Sequence, residues 1–313
     1  MKIDGVININ KPEGWTSQDV CAKLRNRLRI KKIGHTGTLD PMAAGVLPVC
    51  AGKATRIIEY YGRDRKSYHA SMKLGLVTDT LDITGEVLET SACANVSEKA
   101  VREAFKACTG RVSQIPPKYS ALKVDGKRAY ELAREGKDFE LKAREIEIFS
   151  NEISKLDLEA GEIEFDVTCS KGTYIRTICD DIGRALGCGA VMTGLVRTAS
   201  GFFTIEDSAG MDELLGIIGA ADGDELRESL SEFIIPADET LINLGKIVLN
   251  DNRVIAFTNG NSTRKGGYAV TEPSGYDELY RVYGKYPEGA GERVFLGVAA
   301  VEDGELIPQK VLI

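Results

Sequence analysis

The chain has 313 residues, enough for one large hydrophobic core and a second, smaller one. Hydrophobic residues make up 43% and charged residues 28%, the balance of a water-soluble globular protein, and no apolar run approaches the roughly 20 residues that cross a bilayer. The net charge of −7 argues against nucleic acid as a partner only until it is located: residues 205–239 hold eleven acids and one arginine, leaving +3 for the rest of the chain.

The first residues, Met1 to Gly5, lack the basic-then-apolar pattern of a secretion signal, so a cytoplasmic protein is expected. Val6 to Asn10 reads as a strand, closed by the turn Lys11-Pro12-Glu13-Gly14. Ser17 is placed to N-cap a helix whose apolar positions Val20, Cys21, Leu24 and Leu28 recur at helical spacing. Lys23, Arg25, Arg27, Arg29, Lys31 and Lys32 follow within ten residues free of acid, either a basic face for a phosphate backbone or a solvated helix face. Residues 34–52 are glycine-rich and follow neither the helix nor the strand period. Ser67 to Leu76 alternates through Tyr68, Ala70, Met72 and Leu74 as a strand. Ser97 to Thr109 is a helix with Val101, Ala104, Phe105 and Cys108 on one side. Ile163 to Cys169 alternates again, Ser170-Lys171-Gly172 turns, and Ile175, Ile178, Cys179 and Ile182 form a helical stripe ending at Gly187. The acidic stretch reads as a solvated helix and a connector, and beyond Pro236 short alternating runs between turns read as a small β domain. Strands and helices alternate without the repeated crossover units of a doubly wound fold, so an α+β architecture around a mixed or antiparallel sheet is expected.

Seven cysteines, at positions 21, 50, 93, 108, 169, 179 and 188, form no Cys-x-x-Cys pair, the pattern of buried free thiols in a reducing compartment. With only His35 and His69 available, a histidine zinc site is not expected, nor is any other metal or a cofactor. Gly52-Lys53-Ala54-Thr55 imitates a phosphate loop, but Ala54 stands where that loop needs Ser or Thr.

The chemistry points to residues 34–52, where glycines and two prolines surround a single acid, Asp40. Asp before Pro41 is a common turn former; a carboxylate held on a tight loop is also a candidate nucleophile. Gly34-His35-Thr36-Gly37-Thr38-Leu39-Asp40-Pro41, extended through Gly45, Leu47 and Gly52, resembles the catalytic motif of the TruB-type tRNA pseudouridine synthases. Gly5 to Ser17, with Asn10-Lys11-Pro12 and Gly14-Trp15-Thr16-Ser17, resembles that family's N-terminal motif. Lys118-Tyr119-Ser120-Ala121-Leu122-Lys123 with Gly126, Tyr130, Arg134 and Gly136 resembles its T-arm-gripping insertion. Cys169 to Thr177, with Asp181, Gly183, Gly187 and Leu195, resembles its second active-site motif.

The resemblance implies a pseudouridine-synthase fold over residues 1–236, with an RNA-gripping insertion at 118–145, and a small PUA-like β domain over 237–313. It implies an enzyme that flips the T-loop uridine at tRNA position 55 and isomerises it without a cofactor; a monomer is expected because the sequence shows neither a heptad seam nor an obvious long apolar patch. Asp40 would attack covalently, with Arg176 holding its carboxylate; from the residues alone, Arg176 could equally pair with Asp180 one turn on. Tyr68 would stack under the flipped uracil, near the C5 proton that must leave, with Leu195 packed on its ring. His35 would help open the T loop, and Lys11, Lys118, Tyr119, Lys123 and Tyr174 would contact substrate. Lys246, Arg253, Arg264 and Lys265 of the β domain are phosphate contacts or ordinary surface charge. The rival reading is a non-catalytic tRNA-binding chaperone of the same fold, which would not need Asp40, Tyr68 and Arg176 together.

Overall fold

The computed structural model describes residues 3–63, 65–220, 223–276, 278–287 and 291–313. Among them, ten strands form one mixed sheet. Its main path runs Ala209–Gly210, Gly5–Lys11, Ala44–Ala51, Ala190–Ser200, Lys66–Leu74, Glu162–Cys169, Arg144–Asp157, Gly110–Gln114. Most neighbours are antiparallel; Gly5–Lys11 with Ala209–Gly210 and Ala44–Ala51 with Ala190–Ser200 are parallel. Helices Ser17–Leu28, Glu98–Ala107, Ile175–Ala185, Met211–Ala220 and Gly223–Ser231 bring their buried residues into the same core as one face of this sheet.

The strand Ala44–Ala51 is the element whose periodicity was hidden. Leu47, Val49 and Ala51 join the helix-side core, while Val46 and Cys50 join a second core on the other face. A strand covered on both faces is apolar throughout and loses its alternation. At its start Gly45 has φ +100°, and a Cβ there would fall 2.3 Å from the Arg197 carbonyl oxygen. Only glycine lets the two strands cross so closely.

Two further expectations are corrected. Thr16, not Ser17, caps the first helix, in a reciprocal box with Asp19. Its hydroxyl accepts from the Asp19 N–H at 3.0 Å, and the Asp19 carboxylate accepts from the Thr16 N–H at 2.9 Å. The acidic stretch holds two helices rather than one solvated helix, because Met211, Leu214, Ile218, Leu226 and Leu230 give them an apolar stripe that docks on the core.

Strands between Gly245 and Val311 build a separate six-stranded sheet around Ile247, Leu249, Phe257, Val282, Leu296 and Leu306. It meets the large sheet through Leu241, Leu244, Val298 and Leu312, which pack with Val6, Val46, Cys50, Ile57 and Tyr61. Polar contacts seal the edge: Lys310 pairs with Glu59 at 2.8 Å, and Arg56 donates to the Val311 carbonyl. No helix among the described residues is long and apolar enough to cross a membrane.

Candidate active site

The loop carrying Asp40 is tied down from several sides. The Ser17 hydroxyl accepts from the Leu39 N–H at 2.8 Å and also lies 3.1 Å from the Leu39 carbonyl oxygen. Gly14 N–H donates to the Pro41 carbonyl at 2.8 Å, and Ala43 N–H closes a turn on the Asp40 carbonyl at 3.0 Å. Arg197 Nη2 donates to the Gly37 carbonyl at 3.2 Å. With its backbone so fixed, Asp40 projects its carboxylate into a hollow of about 270 Å³.

Arg176 reaches the same hollow from the first turn of the helix Ile175–Ala185. Its Nη2 lies 3.0 Å from Asp40 Oδ2 and donates to the Tyr119 carbonyl at 3.0 Å. Nη1 donates to the Thr80 carbonyl at 3.0 Å and faces Asp82 Oδ2 at 3.4 Å. Asp82 in turn has its other oxygen filled by the Thr84 N–H and the hydroxyls of Thr80 and Thr84. The Arg176 side chain is only 5% exposed and that of Asp82 7%, whereas Asp40 is 37% exposed. Arginine and its rear carboxylate are therefore scaffold, and Asp40 is the member of the trio that a substrate can touch. The alternative pairing of Arg176 with Asp180 is not made, since Asp180 bonds Arg184 at 2.9 Å. Gln114 holds the helix start by accepting from the Tyr174 N–H and donating to its carbonyl, at 2.8 and 3.1 Å.

Tyr68 and Leu195 contribute apolar residues to the lining of the hollow, which Tyr174 and Ser120 to Leu122 of the insertion complete. Burial pushes the Tyr68 phenol above its usual pKa, and the neighbouring Arg197 pulls it back. The apolar floor with an acid at its edge suits a planar base, and among the described residues Asp40 is the one carboxylate in the lining.

The sequence matches the model of the TruB family pseudouridylate synthase N-terminal domain over residues 25–175 and that of the tRNA pseudouridylate synthase B C-terminal domain over 176–242. A tRNA pseudouridine synthase B of Clostridium kluyveri is 42% identical over 281 residues, covering 90% of this chain and 92% of that protein. The chain belongs to the TruB family of pseudouridylate synthases. A second relative of that name, from Clostridium perfringens, is 41% identical over 99% of both chains. The fold superposes on a chain of a Cbf5-Nop10-Gar1 complex with TM-score 0.74 and 26% identity, covering 99% of this chain and 85% of that one.

Within this TruB-family fold the expected residues separate into groups. Asp40, Tyr68, Arg176, Tyr174 and Leu195 meet at one hollow. Lys118 and Lys123 are exposed on the insertion, which is built from the hairpin strands Lys123–Val124 and Lys127–Arg128 and the short helix Ala129–Arg134. Tyr119 enters the site through its carbonyl, while the Asp79 carboxylate beside its hydroxyl pushes the phenol above its usual pKa. His35 is half-buried outside the lining, with Gln18 Nε2 3.1 Å from its Nε2. Burial, and then the charge of Arg197, push its imidazole below the usual pKa.

Lys11 is a correction. It does not reach a substrate: it is fully buried, and its ammonium donates to the carbonyls of Trp15, Pro12 and Pro41 at 2.6, 2.9 and 3.4 Å. It clamps the N-terminal turn to the Asp40 loop. Burial pushes its pKa down to about 8 from 10.5, against the pull of Asp40. Between those values the unfolded chain still holds the proton that the folded one has released, so this group adds stability as pH rises from about 8 toward 10.5. Lys11→Met is expected to lower stability at pH 7 by about 2 kcal/mol, because it orphans buried carbonyls, and to flatten that alkaline rise. Denaturant melts at pH 7 and 9 check both; an unchanged midpoint would remove the clamp from the account.

Sequence reasoning missed Lys66, Ser17, Asp82, Gln114 and Arg197. Lys66 opens the strand that carries Tyr68 and lines the hollow. Its place two residues before Tyr68 on an alternating strand was a usable signal, since both then share a face. Asp82 and Gln114 offered none, because the site residues they hold, Arg176 and Tyr174, lie 94 and 60 residues away.

Proposed function

We propose that this chain isomerises the T-loop uridine of tRNA, at position 55, to pseudouridine, with Asp40 as covalent nucleophile. The observation that carries the reading is the Asp40 carboxylate, open to the hollow, 3.0 Å from a buried arginine and beside the Tyr68 and Leu195 side chains. A stacked uridine must be everted to reach that carboxylate. The reaction breaks the N1–C1′ bond, turns the uracil and joins C1′ to C5; a proton leaves C5 and one is gained at N1. Asp40 attacks, Arg176 holds the attacking oxygen at fixed geometry, and Tyr68 and Leu195 grip the ring.

Lys118, Lys123 and Tyr119 on the insertion, with Lys66 at the hollow, offer cations and a ring to a splayed RNA loop. His35, beside the loop, takes the place of the everted base. We take residues 237–313 as an RNA-binding unit set against residues 1–236, a division supported by the self-contained pairing of the smaller sheet. Seven free thiols support a reducing, cytoplasmic setting, and a monomer is the working form.

The test is mass mapping of an unmodified tRNA transcript after incubation with the protein in EDTA and without nucleotide. Pseudouridine at position 55 alone is expected. An unaltered transcript, or modification confined to another position, would refute the reading.

A further inference from the structure

Arg197 is the largest fully buried side chain among the described residues, yet it takes no part in the hollow's lining. Its Nε donates to the Val46 carbonyl at 2.7 Å and its Nη2 to the Gly37 carbonyl at 3.2 Å. Nη1 is buried with no well-aligned hydrogen-bond partner among the described residues. No carboxylate among those residues lies within ion-pair distance of it. A guanidinium kept charged and incompletely paired in a protein interior is costly, and two backbone carbonyls are a small return for it.

The strand register shows what faces that charge. Arg197 stands directly opposite Tyr68 in the antiparallel ladder, so both side chains leave the sheet on one face. The phenol is in loose contact with the guanidinium, short of a well-aligned hydrogen bond. Unliganded active sites commonly hold their working hydrogen bonds in this slack form. The other ionisable groups facing the phenol are Cys169 of the next strand and Asp40 of the loop; Lys11 and His35 also feel the Arg197 charge. The same arginine thus joins the strand of Tyr68 to the loop of Asp40.

We propose that Arg197 is a positioning residue for the final proton transfer: its free Nη1–H bonds the Tyr68 oxygen, fixes the phenol over the ring and stabilises it as the phenolate that takes the C5 proton. This rests on the pseudouridine synthase reading above. In that step, with C1′ already joined to C5, the C5–H bond breaks and its electron pair becomes the C5=C6 double bond while C6 gives up a bond in exchange. That bond is the one to the Asp40 oxygen, which leaves as carboxylate, or, if Asp40 attacked and has already left C1′, the π bond to N1, whose pair moves onto that nitrogen. The C5 proton passes to the Tyr68 oxygen and on to water through the open mouth of the hollow. N1 gains a proton from solvent, so the overall change remains an isomerisation and no oxidant or co-reactant is required.

Single-turnover rates on a tRNA transcript, with uridine and with 5-deuterouridine at position 55, test this across pH 6–9. Arg197→Gln is expected to slow product formation about 100-fold at pH 7. Its rate should keep climbing at alkaline pH where the wild type has levelled, and its deuterium effect should exceed the wild type's, because C5 deprotonation has become limiting. Arg197→Lys, which keeps the charge without the fork, should show both changes in smaller degree. Melting curves and tRNA affinity within about 3-fold of wild type identify the variants that are folded. If whichever variant folds is slower but keeps the wild-type pH profile and deuterium effect, Arg197 is only a structural tie and the proposal fails. A wild type that forms no pseudouridine at all refutes the underlying reading instead.

Discussion

Replacing Asp40 by Asn is expected to reduce pseudouridine formation by about 10⁴-fold or more while tRNA affinity stays within about 3-fold. The substitution is nearly isosteric, and the loop does not depend on the carboxylate: it is held by Ser17, Gly14, Lys11 and Arg197 through backbone atoms of residues 37, 39 and 41. The amide still fits beside Arg176 but is a very weak nucleophile, so the chemistry is lost and the scaffold remains. Single-turnover assays and filter binding on the same preparation separate the two effects. Turnover near the wild-type rate would remove Asp40 from its role, and a parallel collapse of affinity would make it a binding residue.

Arg176→Met is expected to damage both stability and activity. The arginine reaches four groups at once, the Asp40 and Asp82 carboxylates and the Thr80 and Tyr119 carbonyls, drawn from three separate segments of the chain. Its loss leaves the Asp82 carboxylate, 7% exposed, without a countercharge. Removing one partner of a buried pair destabilises by about 3–5 kcal/mol. The half-exposed Asp40 adds little to that figure, because water can serve it. Activity should fall by at least about 10³-fold, since the attacking oxygen is no longer oriented. The double variant Arg176→Met/Asp82→Asn should regain a large part of the stability and none of the activity. Denaturant midpoints for the four members of this cycle decide it: equal losses in the single and double variants would show that Asp82 is not the group left stranded.

The legible part of the fold was where one face is buried and the other wet. The strand Lys66–Leu74 shows its alternation through Tyr68, Ala70, Met72 and Leu74, and the helix Ile175–Ala185 shows its stripe, so both were readable. The strand Ala44–Ala51 was unreadable for the opposite reason, having cores on both sides. The acidic helices misled because charge dominates their composition, although five buried apolar residues decide where they sit. In the site, Asp40 and Arg176 stood out by motif, but Lys11 within a matching motif turned out to be a buried clamp. A motif marks a position as constrained; it does not say whether the side chain faces the substrate or the interior.

By itself the sequence determined the candidate site residues and their setting: an acid before a proline in a glycine-rich loop, an aromatic on an alternating strand, an arginine at a helix start, and hence the family. Only the tertiary structure decided what each charge is paired with. Arg176 draws partners from 57, 94 and 96 residues away, and the nearly bare guanidinium of Arg197 is bonded across 151 and 160 residues. The physical reason is that backbone propensity and hydrophobic period act over a few residues, so they leave a local trace. The solvation and pairing of a buried charge depend on whichever distant segments close around it, and that closure is a property of the packed sheet and its loops rather than of any one stretch of chain.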